Sequence, residues 1–359
     1  MAPGELGAGE QETWRAFQDA EPSLASPFLS YEFTLAASRY RPRTRVAVVR
    51  EGGETVAFLP MELGRFGEAT PVAALINDAQ GMVHRGGYDW DPREVLALSG
   101  IGVWEFDHVV AQKPFEQYTT LRARSPIMDL GSGFDSYLAG ARRRSSRIKD
   151  LPRRQRRLER EIGPVRFDFH SDDVEAMSTL FRWKSEQYRR TARTDRFALG
   201  WIRSLVTDLA AMKPPRCSGQ VSLLWAGDDL VAGHVGLRAP SVLPTWFPTY
   251  DTRFSKYSPG LLLHVAMAEA AAAAGVGYID LGRGEKDYKD WLADDALEVW
   301  EGRVTTRRSA AALHWGRRVP VRTLRNVVVG NRTLYEAADR ALKGYGAVRT
   351  RLGAATRAR

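Results

Sequence analysis

The chain contains a single cysteine, Cys217, among 359 residues. An intramolecular disulfide is therefore excluded. Cys217 follows Pro214-Pro215-Arg216 in an expected loop and has no histidine in sequence reach, so it offers no nucleophilic pair. Histidine is almost as scarce: six residues are scattered singly, no Cys/His cluster has zinc-ligand spacing, and no metal is expected. Long apolar runs are also missing, and none approaches the roughly 18 residues of a membrane span. The first thirty residues lack a basic stretch followed by an apolar one. These absences lead to the expectation of a reducing, cytoplasmic setting with no membrane span.

The length suits roughly two domains of about 100–200 residues each. The net charge of +9 is uneven, since Glu301 to Arg359 holds fourteen basic residues against three acidic ones. A second basic island, Arg142 to Arg160, holds ten against two just before Gly163-Pro164. Such runs are solvated helix faces or docks for RNA phosphates, anionic lipid or an acidic partner. Thr333-Leu334-Tyr335-Glu336 has capping-box spacing, and Leu334, Ala337, Ala338, Ala341, Leu342 and Tyr345 form one stripe, which predicts a tail helix.

Thr245 to Lys289 reads as strand, basic loop, helix and strand. Pro248 restricts Trp246 to Tyr250 to an edge or bulged strand. Ser258-Pro259 predicts an N-cap oxygen followed by a helix starting at Pro259, with Gly275 closing it. The first turn leaves backbone N–H groups and the positive end of the helix dipole open, with Arg253 and Lys256 just upstream. A phosphate or pyrophosphate suits that arrangement; an ordinary capped core helix is the bland alternative.

Two blocks repeat at one offset of 175 residues: VAVVREGGETVA (46–57) over VSLLWAGDDLVA (221–232), and GIGVWEF (100–106) over GVGYIDL (275–281). Each half then reads as an amphipathic helix, a hairpin with a glycine turn, further strands, a helix, and a strand after a Gly-x-Gly corner. At the offset position of Ser258-Pro259-Gly260 the first half carries Val83-His84-Arg85. The anion site is expected in the second half only.

The chain resembles the GNAT acyltransferase superfamily, in particular the tandem-GNAT group of CelD/BcsL-like acetyltransferases, over residues 12–305. The resemblance rests on residues 142–163, the hairpin 221–237, Ser258-Pro259-Gly260, Asp280-Leu281-Gly282-Arg283-Gly284 and the pair Tyr288-Lys289. The usual pyrophosphate loop is matched only at Arg253 and Gly260. The resemblance implies an α/β (α+β) fold of two tandem GNAT-like domains, each a mixed, mainly antiparallel sheet flanked by helices. Residues 1–141 would form a degenerate domain, 142–164 a basic linker helix, 165–305 the domain with the acyl-carrier site, and 306–359 a basic helical tail. The related Fem-type aminoacyl-tRNA transferases usually carry a helical hairpin, and no long heptad segment occurs here. Their existence keeps tRNA open as a partner through residues 142–160 and 303–359.

The implied reaction is transfer of an acyl group, acetyl by default, from acyl-CoA to an amine of a small molecule or glycan precursor by direct attack. Alternatives are an aminoacyl-tRNA-dependent transferase, a non-catalytic tRNA-binding module and a glycan O-acetyltransferase. The carrier would be held by backbone N–H groups of Ser258, Gly260 and Leu261, with Arg253 and Lys256 as charge partners. Carbonyl polarisation would come from a backbone N–H between Pro248 and Tyr250, a segment that also contacts substrate through Tyr250. His234, on an apolar strand, is the expected base or else a satisfied core histidine. Asp280, on a buried strand, anchors the substrate amine or pairs with Lys289 or Arg283. Tyr288 is the thiolate acid by analogy with GNAT enzymes, or a helix-face tyrosine packed on the core. Lys289 binds an acidic substrate group or faces solvent.

Overall fold

The computed structural model describes residues 1–284 and 287–306. The tail helix expected from Thr333 onward, and the basic segment beyond residue 306, lie outside the described residues. The first half contains α1 (Ala8–Ala20), α2 (Tyr31–Tyr40), β1 (Thr44–Glu51), β2 (Glu54–Leu63), β3 (Glu68–Thr70), β4 (Val83–His84), α3 (Pro92–Leu98), β5 (Val103–Val110) and β6 (Thr119–Asp129). The basic island spans the end of α4 (Phe134–Arg144), α5 (Ser146–Lys149) and most of α6 (Leu151–Glu161). The second half contains β7 (Val165–Asp168), α7 (Val174–Arg190), α8 (Gly200–Ala210), β8 (Ser218–Ala226), β9 (Asp229–Arg238), β10 (Val242–Pro244), β11 (Phe247–Tyr250), α9 (Pro259–Ala273), β12 (Tyr278–Asp280), α10 (Asp287–Leu292) and β13 (Asp295–Thr305).

Both repeated blocks are hairpins or strands at equivalent places. β1 pairs antiparallel with β2 around Gly52-Gly53, both at positive φ as a tight hairpin turn requires, and β8 pairs with β9 around Gly227. Beyond each hairpin a short strand pairs in parallel with the strand after the Gly-x-Gly corner: Glu68↔Val103 in the first half, Val242↔Tyr278 in the second. The halves then interlock. β13 pairs with β5, β6 pairs with β12, and β6 and β13 pair with each other, with Ala123 opposite Val299.

The result is a large mixed, mainly antiparallel sheet in the order β1-β2-β3-β5-β13-β6-β12-β10, with β4 beside β2, and a second sheet in the order β11-β9-β8-β7. The edge position of β11 agrees with Pro248, which has no N–H for a second neighbour. Helix α9 is apolar nearly all round, burying Leu261, Leu263, Met267, Ala268 and Ala271 against the second half's strands and α4. Gly275, at φ 80°, closes it.

Candidate functional site

The site is built where residues 242–250 change sheets. β10 follows β12 as far as Pro244↔Asp280, and β11 joins β9 from Phe247↔Val235 onward. Thr245 and Trp246 make the crossing, so β11 and β12 splay apart. Their backbone donors remain satisfied: the Thr245 N–H donates to the Asp280 carbonyl at 2.7 Å, and the Trp246 N–H donates to His234 Nε2 at 3.2 Å. The Trp246 indole N–H donates to the Ile76 carbonyl at 2.7 Å, which pins the crossing from the first half.

Beside β11 and the start of α9 lies a cleft of about 320 Å³, whose lining includes Lys184, Tyr250, Ser258, Gly260, His264 and Tyr288. A larger depression of about 1110 Å³ lies over β6, among Arg124, Asp290 and Asp294. Its lining takes Arg144, Arg283 and Gly284 from the sequence motifs named above but none of the expected site residues, several of which the smaller cleft gathers instead.

Ser258 departs from the expected cap. It adopts the left-handed conformation, φ 57° and ψ 52°, and its hydroxyl makes no capping bond. Its N–H donates to the Ser255 carbonyl at 3.1 Å, and the Leu261 N–H donates to the Ser258 carbonyl at 3.0 Å. Two of the three expected anion donors are thus engaged internally, because a left-handed Ser258 ends the 3₁₀ turn Thr252–Tyr257 while starting α9. Gly260 is different. Its N–H belongs to the first helical turn, and a Cβ built on Gly260 would meet only Tyr250 ring carbons, the nearest at 3.6 Å. The bare backbone therefore faces the cleft where an anion can approach it.

The cations upstream are held by carboxylates. Arg253 pairs with Asp251 at 2.7 Å and Asp229 at 3.6 Å, and Lys256 pairs with Glu161 at 2.8 Å. Glu161 also accepts from the Tyr257 hydroxyl at 2.5 Å and from Arg157 at 2.7 Å. Bonds from Lys256, Tyr257 and Arg157 push its carboxyl down to about 2. This knot sets the basic helix α6 against the loop leading into α9, and Arg154 donates to the Lys256 carbonyl at 3.0 Å. Arg147 covers Trp291, itself a cleft residue, at 5.4 Å. The basic island thus touches both the loop before α9 and a residue of the cleft lining.

Along β11, the Asp251 N–H donates back to the Val231 carbonyl at 3.0 Å. Alternation along an antiparallel edge strand then turns the Tyr250 N–H away from β9, on the side where Lys184 Nζ donates to the Pro248 carbonyl at 2.7 Å. Tyr288 reaches the cleft from α10, and burial pushes its hydroxyl up to about 12. It is protonated at neutral pH, as a proton donor must be.

His264 carries no sequence signal of its own and was not among the expected site residues. It sits one helical turn after Gly260, with Nδ1 2.6 Å from the Gly260 carbonyl. A carbonyl only accepts, so Nδ1 carries the proton. Nε2 has no hydrogen-bond partner among the described residues, and the side chain is 3% exposed. Burial pushes its pKa down to about 4. The ring lies 5.6 Å from that of Tyr288.

The remaining expected residues fall outside the cleft lining. His234 is fully buried, and burial, with the neighbouring His264 adding to it, pushes its pKa down to about 3. Asp280 accepts from the Ser125 hydroxyl at 2.6 Å and the Gly282 N–H at 2.8 Å. Burial raises its pKa against those bonds. Of the two alternative partners of Asp280, Arg283 bonds instead to Glu301 and to the Asp107 carbonyl, while the Lys289 charge acts on Asp280 to lower its pKa. Lys289 does not face solvent: it is buried and donates to the carbonyls of Gly282 at 2.5 Å and Arg283 at 3.1 Å, bracing the loop after β12. Cys217 is buried with its thiol pushed up to about 12 by burial, an inert state. No group of three His, Cys, Asp or Glu residues among the described residues could hold a metal, and no helix among them is long and apolar enough to cross a membrane.

Residues 145–290 match the acetyltransferase (GNAT) domain family, and the chain carries a GNAT domain over that span. It is a transferase, with the fold of GNAT-type acyltransferases. Among solved structures, FemX is similar at 10% identity and a TM-score of 0.53, over 78% of this chain and 92% of that one. A conserved protein of unknown function from Bacteroides thetaiotaomicron is similar at 10% identity and a TM-score of 0.53, over 84% and 98%. A tandem GNAT protein from the clavulanic acid biosynthesis pathway gives 11% identity and a TM-score of 0.43, over 77% and 88%. No curated protein matches the chain.

Proposed function

We propose that this protein transfers an acyl group, acetyl by default, from acyl-CoA to an amine by direct attack, using the cleft between β11 and the start of α9. The observation that carries the reading is the pairing, in one cleft, of a helix start left open at Gly260 with a protonated tyrosine, Tyr288. The Gly260 N–H and the dipole of α9 receive a phosphate of the donor. Arg253 and Lys256 join only by exchanging their carboxylate partners. The outward Tyr250 N–H polarises the thioester carbonyl, and Tyr288 protonates the departing thiolate. Asp280, at the end of β12 beyond the splay, anchors the acceptor amine. His234 acts as a positioning residue that fixes Trp246 at the crossing. Lys289 serves the site by holding the loop carbonyls of Gly282 and Arg283.

The domain organisation follows the same reading: a degenerate GNAT-like half to about residue 141, the basic linker to 164, and the donor-binding half from 165 to 305. The two parallel strand pairs at equivalent places support a duplication. A second reading is favoured by the basic island on the rim of the cleft: the donor is an aminoacyl-tRNA, its phosphates lying along α5 and α6. FemX, a fold neighbour, makes that alternative worth testing.

Calorimetric titration of the protein with acetyl-CoA and with tRNA at two salt concentrations separates the readings. Saturable acetyl-CoA binding, lost in Gly260→Glu, is the expected outcome. Steeply salt-dependent tRNA binding without acetyl-CoA binding rejects the acyl-CoA reading in favour of the second.

A further inference from the structure

We propose that His264 is the catalytic base of the transfer, taking the proton that the attacking amine must lose. The assignment rests on the acyltransferase reading of the cleft and adds to it the one group that reading leaves unassigned.

Three observations carry it. The Gly260 carbonyl fixes the imidazole as the tautomer protonated on Nδ1, so the lone pair is on Nε2. Nε2 is buried yet has no partner among the described residues, an arrangement that costs stability unless something else uses the nitrogen. The ring lines the cleft beside Tyr288, and it is bonded to the carbonyl of Gly260, the glycine whose N–H the proposed function assigns to the donor phosphate. His234 also has a buried ring nitrogen without a partner among the described residues, Nδ1, but its Nε2 already accepts from the Trp246 N–H and it does not line the cavity.

The step balances without another reactant. The amine nitrogen bonds to the thioester carbonyl carbon as the carbon–sulfur bond breaks. The proton on nitrogen goes to His264 Nε2, and Tyr288 gives its hydroxyl proton to the thiolate. The imidazolium and the phenolate so formed neutralise each other through solvent in the cleft, which restores both groups. The hydrogen bond to Gly260 gives His264 a further property: a donor phosphate on the Gly260 N–H polarises the same backbone turn that orients the base.

The test uses the full chain, with acetyl-CoA as the donor probe and a panel of primary amines, water included, as acceptors. His264→Ala and His264→Gln bind acetyl-CoA within about twofold of the parent, while thiol release falls about 100-fold or more, within the range for a positioned general base. Added imidazole restores at least tenfold in His264→Ala, a response that a packing role does not produce. Unchanged turnover in His264→Gln overturns the assignment, as does a loss in both variants that imidazole leaves unmoved. Circular dichroism on both variants identifies misfolding, in which case the histidine nitrogen spectrum of the parent decides. A lone pair on Nε2 that shifts on acetyl-CoA addition supports the role, and an unperturbed or doubly protonated ring rejects it. If the parent protein binds no acetyl-CoA, the donor reading fails and this assignment with it.

Discussion

The two halves each start a helix with proline before the Gly-x-Gly corner, and they finish those starts in opposite ways. In α3 the Asp91 carboxylate accepts from the Arg93 N–H at 2.9 Å and from the Tyr118 hydroxyl at 3.1 Å, so the helix end is closed by its own side chain. α3 runs for 7 residues. α9 runs for 15 and has no side-chain cap, and Ser258 before it is left-handed. On the proposed reading, a fixed carboxylate at the first helix start repels the ligand that the second one receives. One start is then sealed by its own side chain and the other kept open for binding, with Ser258 held in the left-handed region.

The difference can be sharpened by substitution. The largest effect is expected in the core of α9, where Leu263 is fully buried: Leu263→Ala should cost about 2–5 kcal/mol in urea unfolding. Acetyl-CoA should recover part of that loss by binding the folded state, and no recovery would mean that α9 is only a core helix. Gly260→Ala should weaken acetyl-CoA about tenfold, roughly 1.4 kcal/mol, with unfolding little changed, because the added methyl meets Tyr250 at an ordinary contact distance. A drop in stability without a drop in affinity would break the contrast between the two starts.

Asp91→Ala removes the first-half cap and should cost about 1 kcal/mol of stability. It should leave acetyl-CoA affinity unchanged, since opening α3 supplies neither the cleft nor Tyr288. The smallest effect concerns the rim. Glu161 has its pKa lowered from 4.5 to about 2 by Lys256, Tyr257 and Arg157. Its tie between α6 and the loop before α9 is therefore fully present above about pH 4.5 and is lost as pH falls toward 2. Limited acid proteolysis should cut the loop 252–258 more readily below pH 4 in the parent and at all tested pH values in Glu161→Gln.

Local chemistry made much of this readable in the sequence. Pro248 marked an edge strand, Pro259 a helix start and Gly275 its end, each through a backbone restriction that acts on one residue. The 175-residue repeat located both hairpins. The exchange of β6 and β13 between the halves was not readable, because pairing between strands far apart in sequence leaves no local signature. Ser258 misled for a related reason: a serine before proline usually caps a helix, whereas here the preceding 3₁₀ turn imposes the left-handed conformation. His264 was hidden in an alanine-rich apolar helix, where a histidine reads as core. The spacing of four from Gly260 was the only available signal, and it acquires meaning only once the cleft places Tyr288 beside it.

The contrast between the two helix starts is tested most directly by backbone amide NMR during an acetyl-CoA titration. The account predicts that the Gly260 amide shifts most among helix-start amides, saturating with the binding isotherm, while Arg93 at the start of α3 stays in place. Equal shifts at both starts, or movement at Arg93 with Gly260 unmoved, would contradict it.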